Sequence, residues 1–282
     1  MFILVESCKK HPENTQTDFN LELLTVSDYM YPQQFTNQFM LTVFKSLYDS
    51  TLINTGHGKI DSATVTRTVS GDTIDTDIIY WYSGEDAHWH HNDGYGHRRM
   101  GTIIVRTDTN FYKSSEGNIE LIVKHPFYYD SMMVNVQNIY ISKTGLSENG
   151  NQLFKVIFDH IVLDGTYAHK FTRNLNASFN YEIVKDNSTP WKSENDFILI
   201  SGTISGNTKT GINYSTNINS GTNRYKLGYQ CRYIIEGSSS IVLNGNGYAN
   251  DTALVDFISN DGCSNYYQIT IPNEMTTKSP IE

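Results

Sequence analysis

Four histidines, His88, His90, His91 and His97, lie close together in the chain, with Glu85, Asp86 and Asp93 in the same stretch. In an extended segment His88 and His90 project to one side, a spacing that can chelate zinc or copper, and His97 or Asp93 could close the site. The chemistry would be that of a metal-dependent hydrolase built on residues 85–97, with the cation activating water. Such a centre also needs a general base and ordered partners behind each imidazole, and the chain has no helical His-Glu-x-x-His to supply them. The competing reading is a solvated loop in which Trp89, Asp93, Tyr95 and Arg99 form a ligand-binding surface. Long polar connections between strands tend to carry function.

A second constellation is aromatic. Trp81, Trp89, Tyr95, Phe127, Tyr128, Tyr129 and Trp191 could stack on sugar rings, with nearby Asp or Asn bonding hydroxyls, as in a glycan-binding accessory protein of a polysaccharide-uptake system. In a chain with nineteen Tyr and thirteen Phe, most rings must instead fill the core or pair across strands. The acidic residues are scattered and single out no glycosidase pair. No Gly-x-Ser-x-Gly elbow occurs, and no cysteine stands at a recognisable spacing from a histidine. The residues therefore point to a non-enzymatic binding protein that needs no cofactor.

Three cysteines raise a question of compartment. Cys8 follows an apolar run and Ser7, and precedes Lys9-Lys10 and a polar stretch. That order resembles the end of a bacterial lipoprotein signal, here shortened, in which the cysteine is lipidated and the following residues tether a domain to the membrane; the alternative is a cytosolic protein with a frayed start and a chance cysteine. Glu6 stands where a small residue is usual. Cys231 and Cys263 would pair in an oxidising space, or remain as two buried thiols that act as small apolar side chains. The predicted location is the cell envelope, with the protein anchored at the outer membrane through Cys8.

The net charge of −9 excludes a nucleic-acid partner of the ordinary kind, because neutralising phosphates needs clustered Lys and Arg. Only Lys9-Lys10 and Arg98-Arg99 put two basic residues side by side. The expected partners are a membrane, met through the lipid, and a glycan or an envelope protein.

The elements that must position these residues are mostly strands. From residue 101 to 271 short runs rich in β-branched and aromatic residues recur, closed by Gly, Asn, Asp or Ser, with no helical stretch between them. Asp164-Gly165, Gly206-Asn207, Glu236-Gly237-Ser238 and Asp261-Gly262 are among the turn signals. Lys124, Lys155, Lys209 and Lys226 fall on or beside strands, where lysine blunts an exposed edge. Near the start, Phe35, Phe39, Met40, Val43, Phe44 and Leu47 repeat at helical spacing, which predicts an amphipathic helix over residues 33–49. Pro32 suits its entrance, and one face would cover a sheet. The fold expected is mainly β and antiparallel, sandwich-like or two joined β units, with that single N-terminal helix. Residues 1–20 form the signal remnant and tether, residues 21–282 the β domain, and a seam between two subdomains falls near 186–195.

The order of these segments resembles an uncharacterised group of Bacteroidetes-type envelope lipoproteins. The residues that carry the resemblance are Asp93-Gly94, Arg99-Met100-Gly101-Thr102-Ile103, Ser201-Gly202-Thr203 with Gly206 and Gly211, Cys231-Arg232-Tyr233-Ile234 with Gly237, and Asp261-Gly262-Cys263-Ser264-Asn265. Tyr95, Gly96 and His97 are additional to that pattern. The resemblance covers roughly residues 74–271, and its motifs are structural. It implies an all-β envelope lipoprotein and carries no activity with it.

Overall fold

The computed structural model describes residues 15–80, 98–130, 132–165, 171–185, 196–219, 221, 223–229, 233–245, 248–257, 266–271 and 276–280. Helix α1 is Thr15–Tyr48 and α2 is Ser50–Thr55. The strands are β1 His57–Ile60, β2 Ala63–Ser70, β3 Thr73–Tyr80, β4 Arg99–Asp108, β5 Glu116–Tyr129, β6 Met132–Leu146, β7 Gln152–Gly165 and β8 Thr172–Val184. They continue as β9 Phe197–Asn207, β10 Asn213–Ile218, β11 Tyr225–Gly228, β12 Ile234–Gly245, β13 Tyr248–Phe257, β14 Tyr266–Thr270 and β15 Thr276–Pro280. Among the described residues, all fifteen join one antiparallel sheet in which consecutive strands pair from β1 to β10, with β12 following β10. Mainly β and antiparallel, with a helix near the N-terminus, is the class its alternation predicts.

Strands β10 and β11 share one position between β9 and β12. Tyr214 lies opposite Gly206 and Ile218 opposite Gly202, while Tyr225 lies opposite Ile200 further along the same strand. Two glycines permit the interruption. Gly202 has φ +137°, and a Cβ there would overlap the Ser178 carbonyl oxygen and sit 2.9 Å from Phe179 Cα. Gly237, at φ +115°, would bring a Cβ within 2.8 Å of Tyr225 Cα. Only a residue without Cβ fits such close backbone approach.

Alternation separates the two faces of the sheet. An inward row runs through Ile119, Ile141, Val156, Phe179, Gly202, Ile218, Ser239, Val255 and Ile269 by successive cross-strand partners. The row one residue away contains Glu120, Tyr140, Ile157, Ser178, Thr203 and Asn217, and it faces outward. Because the side-chain period is two, a slip of one residue would exchange these rows, so burial holds the register.

The sheet curls around α1. The predicted stripe, Phe35, Phe39, Met40, Val43, Phe44 and Leu47, is buried, and so are Gln33, Thr36, Asn37, Gln38, Thr42 and Ser46 between its members. Rings reach it from several strands: Tyr214 of β10 lies 4.9 Å from Tyr29, Phe154 of β7 lies 4.9 Å from Phe44, and Phe127 of β5 lies 6.2 Å from Phe39. The expectation of a helix laid on one face is thereby corrected. The helix has no solvent face over these turns: Gln38 and Thr42 meet Arg99 of the sheet, while Thr36 and Ser46 donate to helix carbonyls and Gln33 bonds Tyr29 and Asn37 within the helix. Its length is corrected too, since α1 includes residues 15–32 and carries Pro32 in its interior. An internal proline leaves the carbonyl four residues back without its helical donor, a cost of about 3 kcal/mol. A helix enclosed by a sheet tolerates this, because packing rather than propensity holds it.

Helix α2 is short but capped at both ends. Asp49 accepts from the backbone N–H of Thr51 at 2.8 Å and of Leu52 at 3.1 Å, and Gly56 closes it in the left-handed region. Residues 186–195, where a seam was expected, lie outside the described residues. The strands on either side pair with each other from Asn174↔Asn207 to Val184↔Phe197, so one sheet runs across that position. Of the expected tether, residues 15–20 belong to α1 and the rest lies outside the described residues.

Candidate functional site

Most of the chemistry-bearing residues singled out by sequence lie outside the described residues: Cys8, Trp81, His88, Trp89, His90, His91, Asp93, Tyr95, His97, Trp191, Cys231 and Cys263. Among the described residues, no three of His, Cys, Asp and Glu stand close enough to hold a metal ion. Two of the candidate sugar-stacking rings, Phe127 and Tyr129, are core residues, and Tyr128 is half-buried.

Arg99 opens β4 and points inward. It is 4% exposed. Its Nη1 donates to Thr42 Oγ1 at 2.8 Å and to Tyr80 Oη at 2.9 Å, and its Nη2 donates to Gln38 Oε1 at 2.9 Å. The same Gln38 oxygen accepts from Tyr129 Oη at 2.8 Å. The guanidinium also lies over the rings of Tyr80 and Tyr129, at 5.6 and 5.4 Å. Planar, multidentate and weakly hydrated, arginine is suited to such a position. Arg99 fastens α1 to β3, β4 and β5, and this is where the structure puts the one described member of the expected ligand loop.

A second cation does the same for the other end of the helix. Arg173 of β8 donates from Nε to Asp28 Oδ1 at 3.0 Å and from Nη2 to the same oxygen, and it lies against the rings of Tyr31 and Phe171. The Asp28 carboxylate also accepts from the Lys209 backbone N–H at 2.7 Å. Near the helix C-terminus, Lys45 donates to Asp61 at 3.1 Å and lies over Tyr229. The interior polar groups are thus engaged in holding the helix within the sheet.

Burial sets the ionisation of the interior tyrosines. It pushes the Tyr29, Tyr181, Tyr214 and Tyr225 hydroxyls well above the usual tyrosine range, and the neighbouring phenols of Tyr225 and Tyr214 push Tyr29 further. Lys143, whose ammonium donates to the carbonyls of Phe111 and Ser114 beneath the sheet, is pushed down by burial.

An opening lies in the wall of the sheet. Strands β5 and β6 pair from Glu116↔Thr144 to Glu120↔Tyr140, and again at Tyr128↔Met133 and Tyr129↔Met132, but not between. There a cleft of about 620 Å³ is lined by Leu121, Ile122, Val123, Val136, Gln137 and Asn138 with the paired residues beside them. Its cause is local. On β4, Gly101 is skipped in the ladder between Met100↔Tyr128 and Thr102↔Lys124, so residues 125–127 of β5 bulge opposite one glycine. Gly101 has φ +119°, and a Cβ would meet the Pro126 carbonyl oxygen at 2.8 Å. Pro126 has no N–H to give to a ladder. Sequence alone marks Lys124 as an edge-blunting residue, and Pro126, two residues on in the same strand, strengthens that signal.

Compared with protein-family models, with curated proteins and with solved structures, the chain matches none.

Proposed function

We infer that this is a non-enzymatic envelope lipoprotein, anchored through Cys8, that binds a partner or ligand through the wall of its sheet. The observation that supports the reading is the filled interior: α1 occupies the hollow of the sheet, and Arg99, Arg173, Asp28 and Lys45 are engaged in holding it there. A sheet wrapped on its own helix offers recognition at its outer face and at breaks in its ladder, and the β5–β6 cleft is such a break.

Mass spectrometry of the protein taken from its native membranes tests the anchor. A diacylglyceryl thioether on Cys8 is expected, and an unmodified thiol with residues 1–7 intact overturns it. Stoichiometric metal in protein purified without an affinity tag, lost on His88→Ala and His90→Ala substitution together with a hydrolytic activity, would replace the binding reading by the hydrolase one. Retention on a panel of polysaccharides would make the ligand a glycan.

A further inference from the structure

The break between β5 and β6 is not a loss of strand. Residues 121–124 keep their partners on β4, where Leu121 lies opposite Val105 and Lys124 opposite Thr102. On the other wall Val134 lies opposite Leu163 and Ile139 opposite Phe158 of β7. Residues 121–124 and 134–139 are held in extended form by their outer neighbours while their inner edges have no ladder partner across the hairpin. In an antiparallel sheet alternate residues direct both N–H and C=O to the same side. Every second residue of each wall therefore aims its backbone groups into the opening, where a peptide backbone can satisfy them.

The side chains around the opening mix apolar with neutral polar groups, which favours an uncharged visitor. Leu121, Val123 and Val136 pack against the core yet are only partly buried. At the paired end, Tyr140 is 54% exposed, and its cross-strand partner Ile157 is 39% exposed, so an apolar lip adjoins the cleft on the outer face. Glu120 beside it is already paired with Arg106 at 3.0 Å, and Gln137 and Asn138 on the cleft wall are neutral. Lys124 and Pro126 close the far end against indiscriminate pairing.

We propose that the β5–β6 opening receives an extended, uncharged segment of a partner protein, rich in β-branched or aromatic residues, which inserts as an added strand. The proposal rests on the binding reading above and names the class of partner. Because β5 and β6 are antiparallel to each other, the inserted strand runs antiparallel to one wall and parallel to the other. Its backbone supplies affinity, and alternate side chains meet Leu121, Val123 and Val136 on the inside and Tyr140 on the lip.

The test uses the full chain and a panel of capped peptides of about eight residues, alternating Val, Ile or Phe with Ser or Thr, enough to span the opening at roughly 3.4 Å per residue. Each is paired with a copy N-methylated at alternate amides, and binding is read by fluorescence anisotropy. At least one peptide is expected to bind, with roughly a tenfold or greater loss on N-methylation and on Val136→Arg, and none on Leu254→Ser at a distant exposed position of the outer face. Hydrogen exchange gives a readout independent of folding in the variant: amides within 121–127 and 134–139 exchange faster than those of 116–120 and 140–144 in the free protein and become protected by the peptide. Equal binding of methylated and unmethylated peptides, or slow exchange in the free opening, overturns the inserted strand. If no peptide binds but a fluorescent fatty acid protects these amides, the strand falls and a binding protein for apolar small molecules remains. If neither probe binds, the opening has no binding role, and both readings of it fall together.

Discussion

Arg99 Nη2 donates to Gln38 Oε1 over 2.9 Å, joining the first residue of a strand to the middle of a helix sixty-one positions earlier in the chain. Since the same oxygen accepts from Tyr129, Gln38→Leu removes one acceptor from two buried donors while keeping most of the volume. A loss of about 2–4 kcal/mol is expected in urea unfolding. Gln38→Glu should lose much less, because a carboxylate beside the guanidinium restores both bonds. Equal losses for the two variants would mean that volume, and not hydrogen bonding, holds this contact.

Asp28 offers a sharper case, since a charge is at stake. Asp28→Leu leaves the Arg173 guanidinium buried against Tyr31 and Phe171 without its carboxylate, and a loss of about 3–5 kcal/mol is expected. Asp28→Leu combined with Arg173→Met should recover part of that loss. Chemical denaturation of the two variants measures the recovery.

Gly202 and Gly117 predict opposite results for the same substitution. Gly202→Ala forces a Cβ onto the Ser178 carbonyl oxygen at φ +137°, and about 3 kcal/mol or more should be lost. Gly117→Ala meets only Phe111 Cδ2 at 3.4 Å, an ordinary contact, and should be neutral or stabilising by up to about 1 kcal/mol. The difference in thermal midpoint between the two proteins is the measurement.

Alkali should unfold this protein cooperatively. Burial raises the folded-state pKa of Tyr29, Tyr31, Tyr181, Tyr214 and Tyr225, and in Tyr31 the Asp130 carboxylate adds to it. A raised folded pKa means that stability is fully present below the unfolded value, about 10, and is lost as pH rises from there toward the folded one. Tyrosinate absorbance should therefore rise in step with loss of the β circular dichroism signal. Titration of these phenols near pH 10 with the β signal intact would contradict the burial.

At the acid end the sign reverses. Burial pushes Glu182 up, but hydrogen bonds from Asn151, Arg224 and Ser147 outweigh it and leave the carboxyl below its usual range, and Arg106 holds Asp75 down. Their contributions are present above the unfolded carboxylate pKa values, about 4, and are lost as pH falls through the lower folded ones. Glu182→Gln should flatten the acid limb of the stability profile measured by urea midpoint against pH.

The alternating strands were legible residue by residue. Runs such as 101–107 and 198–204 are β-branched and apolar in their own composition, and the Gly, Asn and Asp turns between such runs impose reversal locally, so an antiparallel meander follows without knowledge of any distant contact. The stripe from Phe35 to Leu47 likewise announced a helix. What it could not announce was that Gln33, Gln38, Thr42 and Ser46, polar residues on the presumed outer side, are buried as deeply.

Their burial depends on partners that local pattern does not identify: Arg173 lies 145 positions from Asp28, and Tyr129 lies 91 from Gln38. The β5–β6 opening is of the same kind, since a ladder that β-branched composition alone would close is parted between Glu120↔Tyr140 and Tyr128↔Met133. The sequence by itself determined the strands and their turns, because side-chain period and turn chemistry act within a few residues. Tertiary structure alone decided that the helix runs inside the sheet and that the wall is open at one place, because both follow from hydrogen bonds and backbone approaches between segments far apart in the chain.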